Sequence, residues 1–303
     1  MKQLRILTSV WGRQHLDWWK AGALESLMWP KNKEALSGAD WAFLTKGEHV
    51  EEIKLAVAES GIKVRDLEFM DMGDTLEKNP HSAGAIIKEA IMIESSKCLT
   101  FGAQTLLAPP DTIFGDGSIS NMREIADQRD VVVLAAHVRV LPSILDVVTE
   151  KPMSNANLVH ESFKRLHKSW GEAEYGPAQA NSYIGGVSYR YLDDNLYSVC
   201  HRLPTPYLIN WTPEDQAYYR GQLHWGCIDH SWPGAMLIPA QRQRLIGSSD
   251  GAFMAEITPA DVNIPPVEYI RQNEPDLFWR NEPHNIQNRM QSIIFRGDDT
   301  CAY

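Results

Sequence analysis

Five short apolar runs lie in the first 136 residues, each of the first four followed by a segment of helical spacing. This alternation limits the fold more than any other feature of the chain. Leu4 to Val10 suits a strand buried on both faces. Gly12 closes it, and Leu16, Trp19, Ala23, Leu24 and Leu27 then recur at helical spacing, with Pro30 and Asn32 read as the helix end. Trp41 to Thr45 reads as a second strand, Val50 to Ser60 as a helix stopped by Gly61, and Ile62 to Phe69 as a third strand. A long helix over Ala83 to Phe101 precedes a fourth strand at Thr105 to Ala108. A helix over Ser118 to Asp127, with Ser118 as its N-cap, precedes a fifth strand at Asp130 to Ala136. Strands that alternate with helices fold into a doubly wound, mostly parallel α/β sheet.

The second half follows a different pattern. Leu141 to Val148 and Asn155 to Lys168 have helical spacing, whereas Ser182 to Tyr191 and Leu196 to His201 alternate around Asp193-Asp194-Asn195, a hairpin signal. Proline-broken pieces follow, and helical patterns return at Val267 to Arg271 and Ile286 to Phe295. The expected division is a Rossmann-like half over residues 1–140 and an α+β half over 141–303. The second half covers the ligand edge of the sheet and integrates with the first as one compact unit.

A formal net charge of −10 argues against a general nucleic-acid or anionic-membrane surface, because both need a basic field. Cys98, Cys200, Cys227 and Cys301 show no CxxC spacing and read as free thiols of a reducing compartment. No apolar stretch reaches membrane-span length and no signal-peptide core is present, so a cytoplasmic location is expected. Ten tryptophans are present. Most read as core residues, although tryptophans in clefts also stack on sugar rings or bases.

The stretch Leu106 to Ile119 marks a site. An apolar strand ends abruptly at Pro109-Pro110-Asp111, and Asp116 follows inside a Gly-Asp-Gly turn. A strand that stops there delivers a carboxylate to its C-terminal edge, where open α/β sheets bind ligands. Such a carboxylate suits a hard divalent cation or a sugar hydroxyl, although Asp and Gly are also preferred turn residues. Arg139 follows the fifth strand with His137 beside it, near the same edge.

With these residues in view, Leu106 to Ile119 resembles the metal-binding segment of GT-A glycosyltransferases of the retaining glycogenin and galactosyltransferase type. The apolar strand, Asp111, Thr112-Ile113-Phe114 and Gly115-Asp116 follow that order, with Pro109 in the place of the first aspartate of the DxD motif. Gly12, the run Leu24 to Asn32, Pro110-Asp111 to Asp116-Gly117-Ser118, Asp229-His230 and Ser249-Asp250 are similar to a group of bacterial and phage glycosyltransferase-like proteins.

The resemblance implies a hexosyltransferase that moves a sugar from a nucleoside diphosphate sugar to an acceptor, assisted by Mn2+ or Mg2+. The acceptor, whether glycan, protein or modified base, and the stereochemical outcome stay open, as does homo-oligomerisation. Donor-binding roles fall to Ser9, Trp11, Gly12 and Arg13 after the first strand, Thr45 after the second, Lys88 in the long helix, Asp111, and Arg139, whose fork suits a phosphate. Asp111, Asp116 and His230 are the expected metal ligands. His230 sits between Trp225 and Trp232 and, with Asp250 and Glu256, is an expected catalytic group. Asp250 also reads as the N-cap of a short helix over Gly251 to Ile257. Two other classes remain open: a catalytically inactive carbohydrate-binding or assembly protein, favoured by Pro109, and a metal-dependent hydrolase or nucleotidyltransferase built on the same acids.

Overall fold

The computed structural model describes residues 2–73, 83–129, 132–168, 171–172, 187–193, 195–201, 205–221, 242–262 and 293–297. In the first part, β1 (Leu4–Val10), β2 (Asp40–Thr45), β3 (Asp66–Asp71) and β4 (Gln104–Leu107) are separated by helices. These are α1 (Arg13–Trp18), α2 (Glu25–Leu27), α3 (Pro30–Leu36), α4 (Val50–Glu59) and α5 (Ala83–Phe101), with a π-helical turn over Trp19–Leu24 joining α1 to α2. Next come β5 (Thr112–Phe114), α6 (Ser118–Arg129), β6 (Val132–Ala135), β7 (His137–Val140), α7 (Leu145–Val148) and α8 (Asn155–Phe163). The later strands are β8 (Gly171–Glu172), β9 (Val187–Asp193), β10 (Leu196–His201), β11 (Thr205–Ile209), β12 (Gln243–Leu245), β13 (Met254–Ile257) and β14 (Ile293–Arg296), with α9 (Pro213–Gly221) after β11.

The main sheet has the order β12-β6-β11-β4-β1-β2-β3. Its β1–β2, β2–β3, β1–β4 and β6–β12 pairs are parallel, and β11 alone runs antiparallel to both of its neighbours. Side chains alternate across each strand. Leu4, Ile6, Val10, Trp41 and Phe43 enter one core and Leu7, Ala42 and Leu44 the other. The first core includes Leu16, Trp19, Ile53 and Met122; the second includes Ala90, Ile91 and Cys98 of α5. Helices therefore cover both faces, as the uninterrupted apolar strands require. The expected doubly wound sheet is present, although two of its strands, β11 and β12, come from beyond residue 140.

A three-stranded sheet, β5-β13-β7, holds a third core with α7 and α8, and a four-stranded sheet, β14-β10-β9-β8, contains the expected hairpin around Asp193 to Asn195. Several expectations are corrected. Pro30 opens α3 rather than ending a helix, since its missing N–H costs nothing at a first helical position. Gly251 to Ile257 contains a strand, not a helix. Met254, Ala255 and Glu256 pair with β5 on one side, and Met254 to Ile257 pair with β7 on the other. The run Asp130 to Ala136 is cut short at Ala135, where the chain crosses from the main sheet to β7. Among the described residues no helix is long and apolar enough to cross a membrane.

Candidate active site

From β1 the chain moves outward through β2 to β3, then returns along α5 to β4 on the opposite side of β1. The crevice between β1 and β4 is thus the topological switch point, where α/β sheets bind ligands beyond the strand C-termini. A cavity of about 270 Å3 opens there. Ser9 and Trp11 line it from the end of β1, Ala108 to Asp111 from the end of β4, and Ile87 and Ile91 from α5. His137, Arg139, Thr205, Tyr207 and Glu256 also line it.

Strand register explains how this wall assembles. Glu256 on β13 lies level with Thr112 on β5 and Arg139 on β7. His137 and Arg139 are two residues apart and share a face, which turns Val138 and Val140 into the third core. Glu256 faces the cavity between the core residues Ala255 and Ile257. The Ile257 N–H donates to the Asp111 carbonyl at 2.7 Å and pins that loop beside the strand.

The Glu256 carboxylate is gripped on both oxygens. His137 Nε2 is 2.7 Å from Oε2, and Arg139 Nε donates to Oε1 at 3.1 Å. Burial would raise the Glu256 carboxyl, but His137 and then Arg139 outweigh it and hold the group well below the usual carboxylate range. Asp111 moves the opposite way. Burial, and secondarily the charge of Glu256, push it up to about 7 against the pull of Arg139. Burial, with the charges of Glu256 and Asp111 added, also holds the Tyr207 phenol well above its ordinary value. The cavity therefore sets a carboxyl held low, a carboxyl pushed up and a phenol held high side by side. Carboxylates driven apart in this way can take different roles in acid–base chemistry. At the other side of the cavity, His15 packs on the Trp11 ring at 4.9 Å, and its Nδ1 pairs with the Trp11 carbonyl at 2.9 Å. Burial lowers the pKa of this imidazole.

Of the residues singled out from the sequence, Ser9, Trp11, Asp111, Arg139 and Glu256 line this cavity. Gly12 adjoins it with φ 83° as the residue before α1, a conformation that favours glycine. The others are placed elsewhere. Thr45 is buried at the end of β2, outside the lining. Arg13 is exposed and pairs with Asp17 and Glu52. Lys88 donates to the Arg220 carbonyl at 3.2 Å and lines a separate opening against α9. Asp250 is exposed, with Ser248 Oγ donating to its Oδ2 at 3.1 Å. His230, with Trp225 and Trp232, lies outside the described residues. His137 was legible beside Arg139, but Thr205, Tyr207 and His15 were not singled out. The spacing of His15 four residues after Trp11 is the one signal that could have marked that pair.

Asp116 has a structural task. Its Oδ1 accepts from the backbone N–H groups of Lys31 and Asn32 at 2.9 and 3.2 Å, capping α3. Asn32 reciprocates: its Oδ1 accepts from the N–H groups of Gly117 and Ile119 at the start of α6, and its Nδ2 donates to the carbonyls of Ser26 and Gly115. Ser26 Oγ accepts from the Phe114 N–H at 3.0 Å. Ser118 is not a cap, since its Oγ donates to Asn155 Oδ1 and accepts from the Phe253 N–H. The two motifs Leu24 to Asn32 and Pro110 to Ser118 are thus halves of one buried hydrogen-bonded lock. Gly115 is required within it, since a Cβ there would lie 2.0 Å from Asn155 Oδ1.

Among the described residues no group of three or more His, Cys, Asp and Glu side chains is arranged to hold a metal ion. Asp116 is committed to α3 and Glu256 to His137 and Arg139, so the expected ligand set does not assemble around Asp111 from these residues.

No protein-family model matches the chain, and no curated protein matches it. Solved structures match parts of it. Mouse xyloside xylosyltransferase 1, in its apo form, aligns at 15% identity and a TM-score of 0.29 over 46% of this chain and 52% of that one. TarS of S. aureus aligns at 14% identity and 0.27 over 46% of this chain and 22% of that one. The mannosyltransferase Ktr4p of S. cerevisiae aligns at 17% identity and 0.29 over 52% and 46%. The match spans about half the length of the xylosyltransferase. Similarity at this level says nothing of the reaction.

Proposed function

We propose that this chain is a glycosyltransferase that binds a nucleoside diphosphate sugar in the cavity between the ends of β1 and β4. The observation that carries this reading is the pair of carboxyls, Asp111 and Glu256, facing one cavity beside Arg139 at the switch point of the sheet, with burial pushing Asp111 up and His137 and Arg139 holding Glu256 low. In glycosyl transfer the bond from the anomeric carbon to the diphosphate oxygen breaks, and the electron pair leaves with the diphosphate. The acceptor oxygen bonds to that carbon and gives up its proton. Arg139 is assigned to the charge growing on the diphosphate and Glu256, a fixed anion, to the positive charge growing at the anomeric carbon. Asp111, as its carboxylate, takes the acceptor proton. Trp11 supplies an aromatic platform for the base or the sugar ring.

A divalent ion usually takes one or two protein carboxylates with substrate phosphates and water. The described residues supply only Asp111 for that purpose, so no step is routed through an ion.

A thermal-shift screen of nucleoside diphosphates and their hexose conjugates tests the reading. One nucleotide family should raise the melting temperature by about 2–4 °C at saturation. Trp11→Ala and Arg139→Ala should each reduce that shift. A screen without shifts, or shifts that survive both substitutions, would count against it.

A further inference from the structure

Two side chains at the junction of β1 and α1 carry hydrogen-bonding groups that the protein itself leaves unused. Trp11 and His15 both line the cavity and are half-buried. Their ring centroids lie 4.9 Å apart, and the Trp18 ring meets His15 edge-on at 5.9 Å, so the imidazole is packed against two indoles. Its Nδ1 is 2.9 Å from the Trp11 carbonyl oxygen. A carbonyl only accepts, so Nδ1 carries a proton whatever the charge of the ring. Burial lowers the pKa of this ring from its ordinary 6.5 despite that bond, which leaves Nε2 a bare lone pair at neutral pH. Among the described residues Nε2 has no hydrogen-bond partner, and it is not one of the atoms sealed from solvent. The same is true of the Trp11 indole N–H. By contrast, Trp41 and Trp211 donate to threonine hydroxyls, and the N–H groups of Trp19 and Trp29 are buried. This part of the wall therefore offers one neutral donor, one neutral acceptor and an aromatic face.

A sugar matches that set. Each hydroxyl both donates and accepts, and the C–H edges of the ring pack on an indole. A phosphate oxygen does not match it, because a bare lone pair has no proton to give. We propose that Trp11 and His15 form a sugar-binding subsite, in which a ligand hydroxyl donates to His15 Nε2 and a ligand oxygen accepts from Trp11 Nε1. The inference rests on the functional reading for its ligand, a nucleoside diphosphate sugar, whose ribose and hexose both carry such hydroxyls. The two unused groups do not themselves depend on the reaction.

Two readouts on the full chain test it. Nitrogen-detected NMR at neutral pH, with the His15 signals assigned by their loss in His15→Phe, should show a proton on Nδ1 and none on Nε2. The probes are ribonucleoside diphosphates, their deoxyribose counterparts and free glucose. The Nε2 signal should move more with a ribose form than with its deoxyribose form where ribose fills the subsite, and with glucose where the hexose does. By calorimetry, His15→Phe and Trp11→Phe, which keep the rings, should each weaken binding of the responding probe about five- to tenfold. His15→Gln, whose amide oxygen accepts near the place of Nε2, should stay within about threefold of the wild type. A proton on Nε2, binding unchanged in both ring-preserving variants, or an equal response to ribose and deoxyribose forms with none to glucose would overturn the proposal. A nucleoside diphosphate that binds without moving Nε2 would overturn the subsite and leave the functional reading standing. Glucose that moves Nε2 while no nucleoside diphosphate binds would do the reverse, and no response to any probe would overturn both.

Discussion

At the residue scale, the acid pair sets opposite pH dependences. Asp111 has an ordinary pKa of 3.8 and is raised to about 7 by the fold. Between those values the folded protein holds a proton that the unfolded chain has released, so this group lowers stability as pH rises. Glu256, held low by His137 and Arg139, contributes the reverse: its stabilisation is present above its ordinary value of 4.5 and is lost as pH falls through its depressed value. Asp111→Asn removes only the first effect. The variant is expected to melt above the wild type at about pH 8 and to lose that advantage below about pH 4. Melting curves across that range check this; an equal gain at both ends, or a loss at pH 8, would contradict the placement of Asp111. Asp111 was legible because an apolar strand stopped at two prolines before it. Tyr207 and Thr205 were not, since a threonine and a tyrosine in a five-residue strand look the same whether they face a core or a cavity.

At the element scale, the lock between α3 and the start of α6 accounts for two motifs that also suit a ligand site. Asn32 is fully buried and satisfies groups at Ser26, Gly115, Gly117 and Ile119. Asn32→Ala is expected to cost about 2–4 kcal/mol by leaving several of these unpaired. Asp116→Asn keeps an oxygen for the α3 N–H groups and should change both stability and turnover little, whereas Asp116→Ala should cost about 1 kcal/mol. Denaturant titration measures these costs. A loss of turnover in a folded Asp116→Asn would instead return Asp116 to the chemistry. The same scale shows where pattern reading stops. The bounds of β1 and the span of α5 followed directly from apolar runs and a terminating glycine. β5 and β13 are three and four residues long, too short to show a period, and only their partners make them strands.

At the scale of the whole molecule, the two halves interlock more deeply than an edge-covering second half requires. β11 is hydrogen-bonded between β4 and β6, and β13 lies between β5 and β7. Glu256 and Thr205 therefore reach the cavity only when both halves are folded. At the opposite edge, Arg5 joins Asp40, Glu68 and Glu94 in a largely buried ionic cluster that ties β1, β2, β3 and α5 together. The chain is expected to unfold in one cooperative transition, with secondary structure and tryptophan fluorescence changing together. A fragment ending at residue 140 should fail to form the native sheet, because β4 and β6 would each lose a paired neighbour. Two separated transitions, or a folded fragment, would contradict this. The sequence carried the parallel part of the sheet because β1, β2 and β3 follow one another in space as in the chain and a helical crossover brings β4 beside β1. It did not carry β11, whose place depends on pairings at least 70 residues distant.

The central claim is that Asp111 and Glu256 face a bound nucleoside diphosphate sugar. The most direct measurement is release of nucleoside diphosphate from a panel of hexose donors, for the wild type beside Asp111→Asn and Glu256→Gln. One donor should be turned over by the wild type, and each substitution should reduce the rate by about 10²–10⁴-fold while the protein still binds that nucleotide. Release that is undiminished in both folded variants, or absent for every donor, would contradict it.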